Sequence, residues 1–451
     1  MVDRKTIEEN AVALLDQLLV AAKAGGAETA DAVFFDSASL DVSYRMGELE
    51  DVQRSESGDV GLRVMIGRKQ AMVSTTDTSA NALDELVERC VAMARAAPED
   101  PFCGLADHDL LETAPQDLDL LDTAEPDVAA LTKRAAEAED AARSVDGVTN
   151  SEGGGAGWAT GTVALATSHG FRGAYSTSRH SVVASVIAGD GTEMERDYDH
   201  HSARHLGDLD DAAKIGRAAG EKAVERLNPR KMPSTQVPVV FDPRVSGSFL
   251  GHLVSAISGS SVARGTSFLR DQLDQQIFAS GIQIIDDPHA IRGLRSKPFD
   301  GEGVANPTTT FVDNGVLQSW IMDSTSARQL GLKSTGHAAR GTGGPPSTSA
   351  TNLYMAPGSV NRNELIGEIE DGLYVTEMIG FGVNGVTGDY SRGAGGFWIE
   401  NGELAFPVSE LTIAGNLKEI FLKLVPADDL EFRYGVNAPT LRIENMMVAG
   451  T

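Results

Sequence analysis

Along the first part of the sequence the apolar residues change period several times, and each change marks a new element. Ile7, Ala11, Leu14, Leu15, Leu18, Leu19 and Ala22 recur at helical spacing, and Gly25 and Gly26 follow them. That pattern predicts an opening helix of about five turns, ended by the glycine pair. Residues 31–44 alternate in the manner of a half-buried strand. Two further strands are expected at 60–66 and 70–74, joined by the short turn Gly67-Arg68-Lys69. A second helix follows over 80–97. The segment 98–126, rich in Asp and Pro, reads as a loop on the surface.

The alanine-rich stretch 127–144 predicts a third helix, and β segments follow between 147 and 198. The cluster Gly153-Gly154-Gly155-Ala156-Gly157 is placed at a turn. A fourth helix spans about 210–227, and Asn228-Pro229-Arg230-Lys231-Met232-Pro233 then breaks all regular structure. A domain boundary is expected there, dividing the protein into 1–230 and 231–451. Beyond Gln236 strand and turn signals dominate, with helices near 243–258 and 361–371. The fold class is therefore α+β: a mixed α/β N-terminal domain and a mainly antiparallel β C-terminal domain.

Composition narrows the function classes. With 451 residues, 41% hydrophobic and 23% charged, the chain has a globular profile and room for two cores. Its 48 glycines favour many tight turns. A net charge of −27 repels polyanions, so direct nucleic-acid binding is not expected. No run of about 18 apolar residues suggests a membrane span, and Glu8, Glu9 and Asp16 break up any signal-peptide core. Two cysteines in so long a sequence, Cys90 and Cys103, read as a cytoplasmic protein rather than a disulfide-bonded one.

Candidate chemistry is sparse. Gly380-Phe381-Gly382-Val383-Asn384-Gly385 spells GxGxxG after the strand expected at 373–379, but turn residues follow it, not the helix that binds a pyrophosphate. His200, His201 and His205, with Asp197 and Asp199 beside them, form the densest cluster of ligand types. The segment lacks helical signals, so a surface turn with solvated histidines is the expectation. Asp286-Asp287 likewise reads as a solvated turn. His252 lies on an apolar helix that carries no Asp or Glu and no second histidine. It is expected to be a hydrogen-bonded packing residue rather than a ligand. Serines are plentiful, but no GxSxG elbow occurs.

Several longer blocks in the second half carry a family resemblance. They include LGHLVSAISG at 250–259, Asp287-Pro288-His289, PFDGEGV at 298–304 and SARQLGLKSTGH at 326–337. GVTGDYSRGAGGFWIENG at 385–402, the segment 407–416 and APTLRIEN at 438–445 continue the series. Together they resemble the TldE/PmbA-like, non-catalytic branch of the TldD/PmbA family, whose older label is modulator of DNA gyrase. The first half matches more loosely.

In that family the catalytic, TldD-like branch carries HExxxH on a helix directly after an apolar pair, with a cysteine near the C-terminus as a further ligand. Here the pair is Phe249-Leu250, so the motif positions fall on Gly251, His252 and Ala256, and no cysteine follows Cys103. The resemblance thus implies no catalytic residue, no metal ligand and no cofactor in this chain, with zinc expected in the partner subunit. It implies a TldD-like metallopeptidase partner and unfolded or short peptides and peptide leaders as substrates. This protein would complete the enclosure, with a homodimer as an option when it is alone. Candidates for peptide or partner contact are His252, Arg264, Thr387, Asp389, Tyr390 and Arg392, unless Asp389 and Arg392 merely pair to stiffen their loop. A self-sufficient hydrolase using His200, His201 and His205, and a homodimeric peptide-binding protein, stand as alternatives.

Overall fold

A computed structural model describes residues 4–191 and 193–450. The first half is one antiparallel sheet of six strands, β1 (Thr29–Arg45), β2 (Glu48–Ile66), β3 (Lys69–Thr75), β4 (Val148–Thr167), β5 (Arg172–Ala188) and β6 (Glu195–Ala203), in the order β3-β2-β1-β4-β5-β6. Helices α1 (Arg4–Ala24), α2 (Ala80–Ala96), α3 (Val128–Arg143) and α4 (Ala212–Glu225) cover one face of it. Each helix buries a stripe of small and aliphatic residues against alternate strand residues. Val60, Leu62 and Val64, for example, meet Leu86, Val87 and Cys90.

The glycines at 153–157 sit inside β4, not at a turn. Close packing is the reason. A Cβ on Gly154 would lie 2.2 Å from the Ala135 carbonyl oxygen on α3. Only residues without side chains let the helix come so near the sheet. Strand β2 also begins earlier than its apolar pattern suggests, because residues 48–57 are exposed throughout yet held in register by β1.

The second half contributes β7 (Thr235–Phe241), β8 (Ile284–Asp286), β9 (Thr309–Asp313), β10 (Val316–Leu317), β11 (Ala338–Ala339), β12 (Ser347–Thr348) and β13 (Leu353–Met355). After these come β14 (Asp371–Ile379), β15 (Asp389–Glu400), β16 (Glu403–Asn416), β17 (Leu424–Pro426), β18 (Val436–Asn437) and β19 (Leu441–Ala449). Strands β7, β14, β15, β16 and β19 close on themselves, because β16 pairs with β19 as well as with β15. Most pairings are antiparallel, and β7 with β14 is parallel. The fold is α+β, as the hydrophobic pattern indicates.

Helix α5 (Pro243–Ile257) leaves the end of β7, followed by α6 (Gly259–Ala263) and later α7 (Ser324–Leu330). The helix expected near 361–371 is only Arg362–Gly367, because 371 already begins β14. No helix among the described residues is long and apolar enough to cross a membrane.

Candidate functional site

Helix α5 is specified at its N-terminus and along both faces. Asp242 caps it by accepting from the Arg244 N–H at 2.9 Å, and Pro243 fills the first turn. Phe249, Leu250, Leu253, Ala256 and Ile257 face the core. At the same helical spacing, Arg244, Ser248, Gly251, His252 and Ser255 form the opposite face. The three motif positions thus end up in different surroundings. Gly251 is exposed, His252 is half-buried and Ala256 lies in the core at 3% exposure.

Across from this face runs β15. Tyr390 and Arg392, two residues apart, share one side of it. The Tyr390 ring stands edge-on to His252 with centroids 5.8 Å apart and stacks on Phe249 at 5.7 Å. Its hydroxyl points to the Met378 sulfur at 3.3 Å. Burial raises the Tyr390 phenol above its ordinary range. His252 is pushed down to about 4, first by burial and then by the Arg392 guanidinium. The ring is therefore neutral near pH 7. Its Nε2 is buried with no hydrogen-bond partner among the described residues, so the expected hydrogen-bonded packing role does not hold.

The remaining candidates lie elsewhere. Thr387 donates to Asp389 at 2.6 Å and Asn416 donates to the same carboxylate at 3.0 Å; these bonds hold Asp389 below the usual carboxylate range. Arg392 instead donates to the Ile379 carbonyl at 3.4 Å, so Asp389 and Arg392 do not pair. Arg264 is exposed and ends α6. Four residues on, the Phe268 N–H donates to the Gly385 carbonyl at 2.8 Å and ties that segment to the glycine-rich loop.

The histidine cluster is not a solvated turn. His200 and His201 lie on β6 and so point to opposite sides, and His205 follows the strand. His200 sits between the Tyr198 and Tyr434 rings, His201 accepts from the Asp210 N–H at 2.9 Å, and His205 meets the Asp119 carbonyl at 2.9 Å. Burial lowers both His200 and His201. The three rings do not converge. Asp286 is likewise no solvated turn: it is fully buried on β8 and accepts from the Thr351 N–H, the Thr351 hydroxyl and His337.

Two constellations have no counterpart among the sequence motifs. Asp31 and Arg63 pair across β1 and β2, and Arg340 from the second half reaches the same carboxylate. Both arginines hold Asp31 below its ordinary range, against the effect of burial. The other is a cavity of about 410 Å³ between β6, α5 and β14, into which Arg226, Arg244 and Arg392 come from three separate parts of the fold. Asp31 and Arg63 do leave a trace in the sequence, as single charges between apolar neighbours. The cavity leaves none, because its residues are scattered from 196 to 436.

Comparison with known proteins places these features in a family. The pattern described as the PmbA/TldA metallopeptidase C-terminal domain matches residues 234–450, the central domain 121–227 and domain 1 30–94. Metalloprotease PmbA of Escherichia coli O157:H7 is 38% identical over 449 residues, covering 99% of this chain and 97% of that protein. The chain belongs to the PmbA/TldD metallopeptidase family. A PmbA homologue from Haemophilus influenzae is 37% identical, covering 96% of this chain and 94% of its own.

Among solved structures, a Bacteroides thetaiotaomicron protein provisionally labelled a modulator of DNA gyrase superposes with a TM-score of 0.90 at 26% identity, over 97% of this chain and 98% of its own. TldE from Thermococcus kodakarensis shares the fold, with a TM-score of 0.86 at 20% identity over 97% of this chain and 100% of its own.

For a PmbA/TldD family member the implied metal is zinc, which takes three or four donors in tetrahedral array. The residues at the motif positions do not fit it. Gly251 has no donor, Ala256 faces the core, and His252 has a guanidinium and a buried phenol ring as neighbours. Among the described residues no group of three or more His, Cys, Asp or Glu is placed to hold a metal ion.

Proposed function

We propose that this protein is the TldE/PmbA-like, non-catalytic subunit of a two-subunit zinc peptidase that acts on unfolded or short peptides and peptide leaders. A TldD-like partner holds the zinc and cuts; this subunit helps enclose the substrate. One observation carries the reading: the α5 positions where a family peptidase would place its ligands and base hold Gly251, His252 and Ala256. None of them can activate water, since activation needs a carboxylate or an equivalent base beside a bound metal. The sole histidine is neutral and faces Arg392, whose charge opposes a cation. The cysteine ligand that the resemblance implies for the catalytic branch is also missing, since Cys103 is the last cysteine in the sequence.

A mixing assay tests this. The protein, a TldD-like protein and the mixture are each given an unfolded polypeptide and a short peptide, and zinc is measured in every sample. Cleavage by the mixture, with zinc accompanying the TldD-like protein, is expected. Cleavage by this protein alone, with stoichiometric zinc, would overturn the proposal.

A further inference from the structure

The cavity between β6, α5 and β14 stands out electrostatically. Arg196, Arg226, Arg244 and Arg392 line it against only Asp197 and Glu377. Glu152 and Glu195 pair with Arg196 and Arg226 from just outside the lining, so the charges balance overall and what distinguishes the pocket is one guanidinium, that of Arg392, left without a carboxylate. In a cleft with low-dielectric walls an uncommitted guanidinium acts on an anion more strongly than it would on the open surface.

The four guanidinium groups are not equally committed. Arg244 donates to Asp197 at 2.6 Å, Arg226 pairs with Glu377, Asp197 and Glu195, and Arg196 reaches Glu152 at 3.5 Å. Arg392 has no carboxylate partner among the described residues; it makes one long bond to the Ile379 carbonyl and lies 5.8 Å from the Phe381 ring. Two neutral groups on the adjacent α5 face are also unspent. The Ser248 hydroxyl and the His252 Nε2 are both buried without a hydrogen-bond partner among the described residues. Of the two only Ser248 lines the cavity, and a buried hydroxyl left unpaired beside an uncommitted cation points to a missing acceptor. An anion suits Arg392, and a carboxylate is one that its fork can bind through two parallel hydrogen bonds.

We propose that this pocket binds a peptide carboxylate, with Arg392 as its main contact and Ser248 as a neutral donor. That the ligand is a peptide rests on the supporting-subunit reading above; the anion chemistry does not. The carboxylate comes from a peptide's C-terminus or from an Asp or Glu side chain.

Binding of three labelled peptides to the purified full-length protein, followed by fluorescence anisotropy, decides the matter. One is neutral with a free C-terminus, the second is its amide, and the third is the amide with one internal Glu. Either carboxylate peptide is expected to bind about tenfold or more tighter than the neutral amide, and which of them does so identifies the source. Arg392→Gln should erase the difference, Arg392→Lys should restore part of it, and Ser248→Ala should weaken it several-fold. Ser248 is a safe second variant because its hydroxyl holds nothing among the described residues.

Equal binding of all three peptides, no binding of any, or an unchanged preference in Arg392→Gln and Ser248→Ala would overturn the proposal. Because this assay uses the protein without a partner, it can fail while the mixing assay succeeds, or succeed while that one fails.

Discussion

Arg340 donates from its Nη2 to the Asp31 carboxylate at 2.7 Å, joining the second half of the chain to the first strand of the N-terminal sheet. Arg63 donates to the other oxygen of that carboxylate at 2.6 Å, and all three side chains are almost wholly excluded from solvent. Removing one member of such a set strands the others without a counter-charge. Asp31→Asn is therefore expected to cost about 3–5 kcal/mol, read as a lower urea midpoint. Replacing Arg63 alone should cost a similar amount, and the two losses should fall well short of adding, as a double-mutant cycle would show.

Glu302 lies near the same cluster. It accepts from the Ser324 N–H at 2.8 Å, and burial, followed by the neighbouring Asp300 charge, pushes its carboxyl up to about 7. A carboxyl raised in the folded state binds its proton more tightly there than in the unfolded chain. Its contribution to stability is thus complete below the unfolded value near 4.5 and is lost as pH rises through about 7. Glu302→Gln should remove that loss. Urea unfolding at pH 5 and pH 8 is expected to show a smaller drop in the variant than in the parent. An equal drop in both would contradict the assignment.

His252 should behave in the opposite sense. Its folded value of about 4 lies below the ordinary 6.5, so the unfolded chain takes up the proton first. The neutral ring's contribution is full above 6.5 and fades as pH falls through about 4. Proton chemical shifts of the ring should stay in the neutral form down to about pH 5. Arg392→Gln should move the midpoint upward, because the guanidinium is the second cause of the depression after burial.

Gly154 tests the packing of α3 on the sheet. A methyl there would collide with the Ala135 carbonyl oxygen, whereas one on Gly58 meets nothing within 4 Å. Gly154→Ala is expected to destabilise by about 1–3 kcal/mol. Gly58→Ala should stay within about 0.5 kcal/mol of the parent. Thermal unfolding of the two variants side by side is sufficient.

Local pattern decides much of this fold, and particular elements show where its reach ends. The period of the apolar residues places α2, α3, α4 and α5 to within a few residues, because each buries one continuous stripe. It fails at residues 153–157, where glycine serves a close approach between layers rather than a turn, and the partner layer lies elsewhere in the sequence. It fails again at His200, His201 and His205, which look like a ligand set only while the strand that separates them is unknown.

The sequence alone determined the negative side of the site. Gly251, His252 and Ala256, and the lack of any cysteine after Cys103, are facts of residue type that no folding can alter. The arginine-lined cavity near α5 was decided only in three dimensions. Arg226 ends one helix, Arg244 begins another and Arg392 sits on a strand, and no periodicity relates them. They meet because the tertiary fold sets β6 beside α5 and β14, and charge, unlike an apolar stripe, acts across space without regard to separation in sequence.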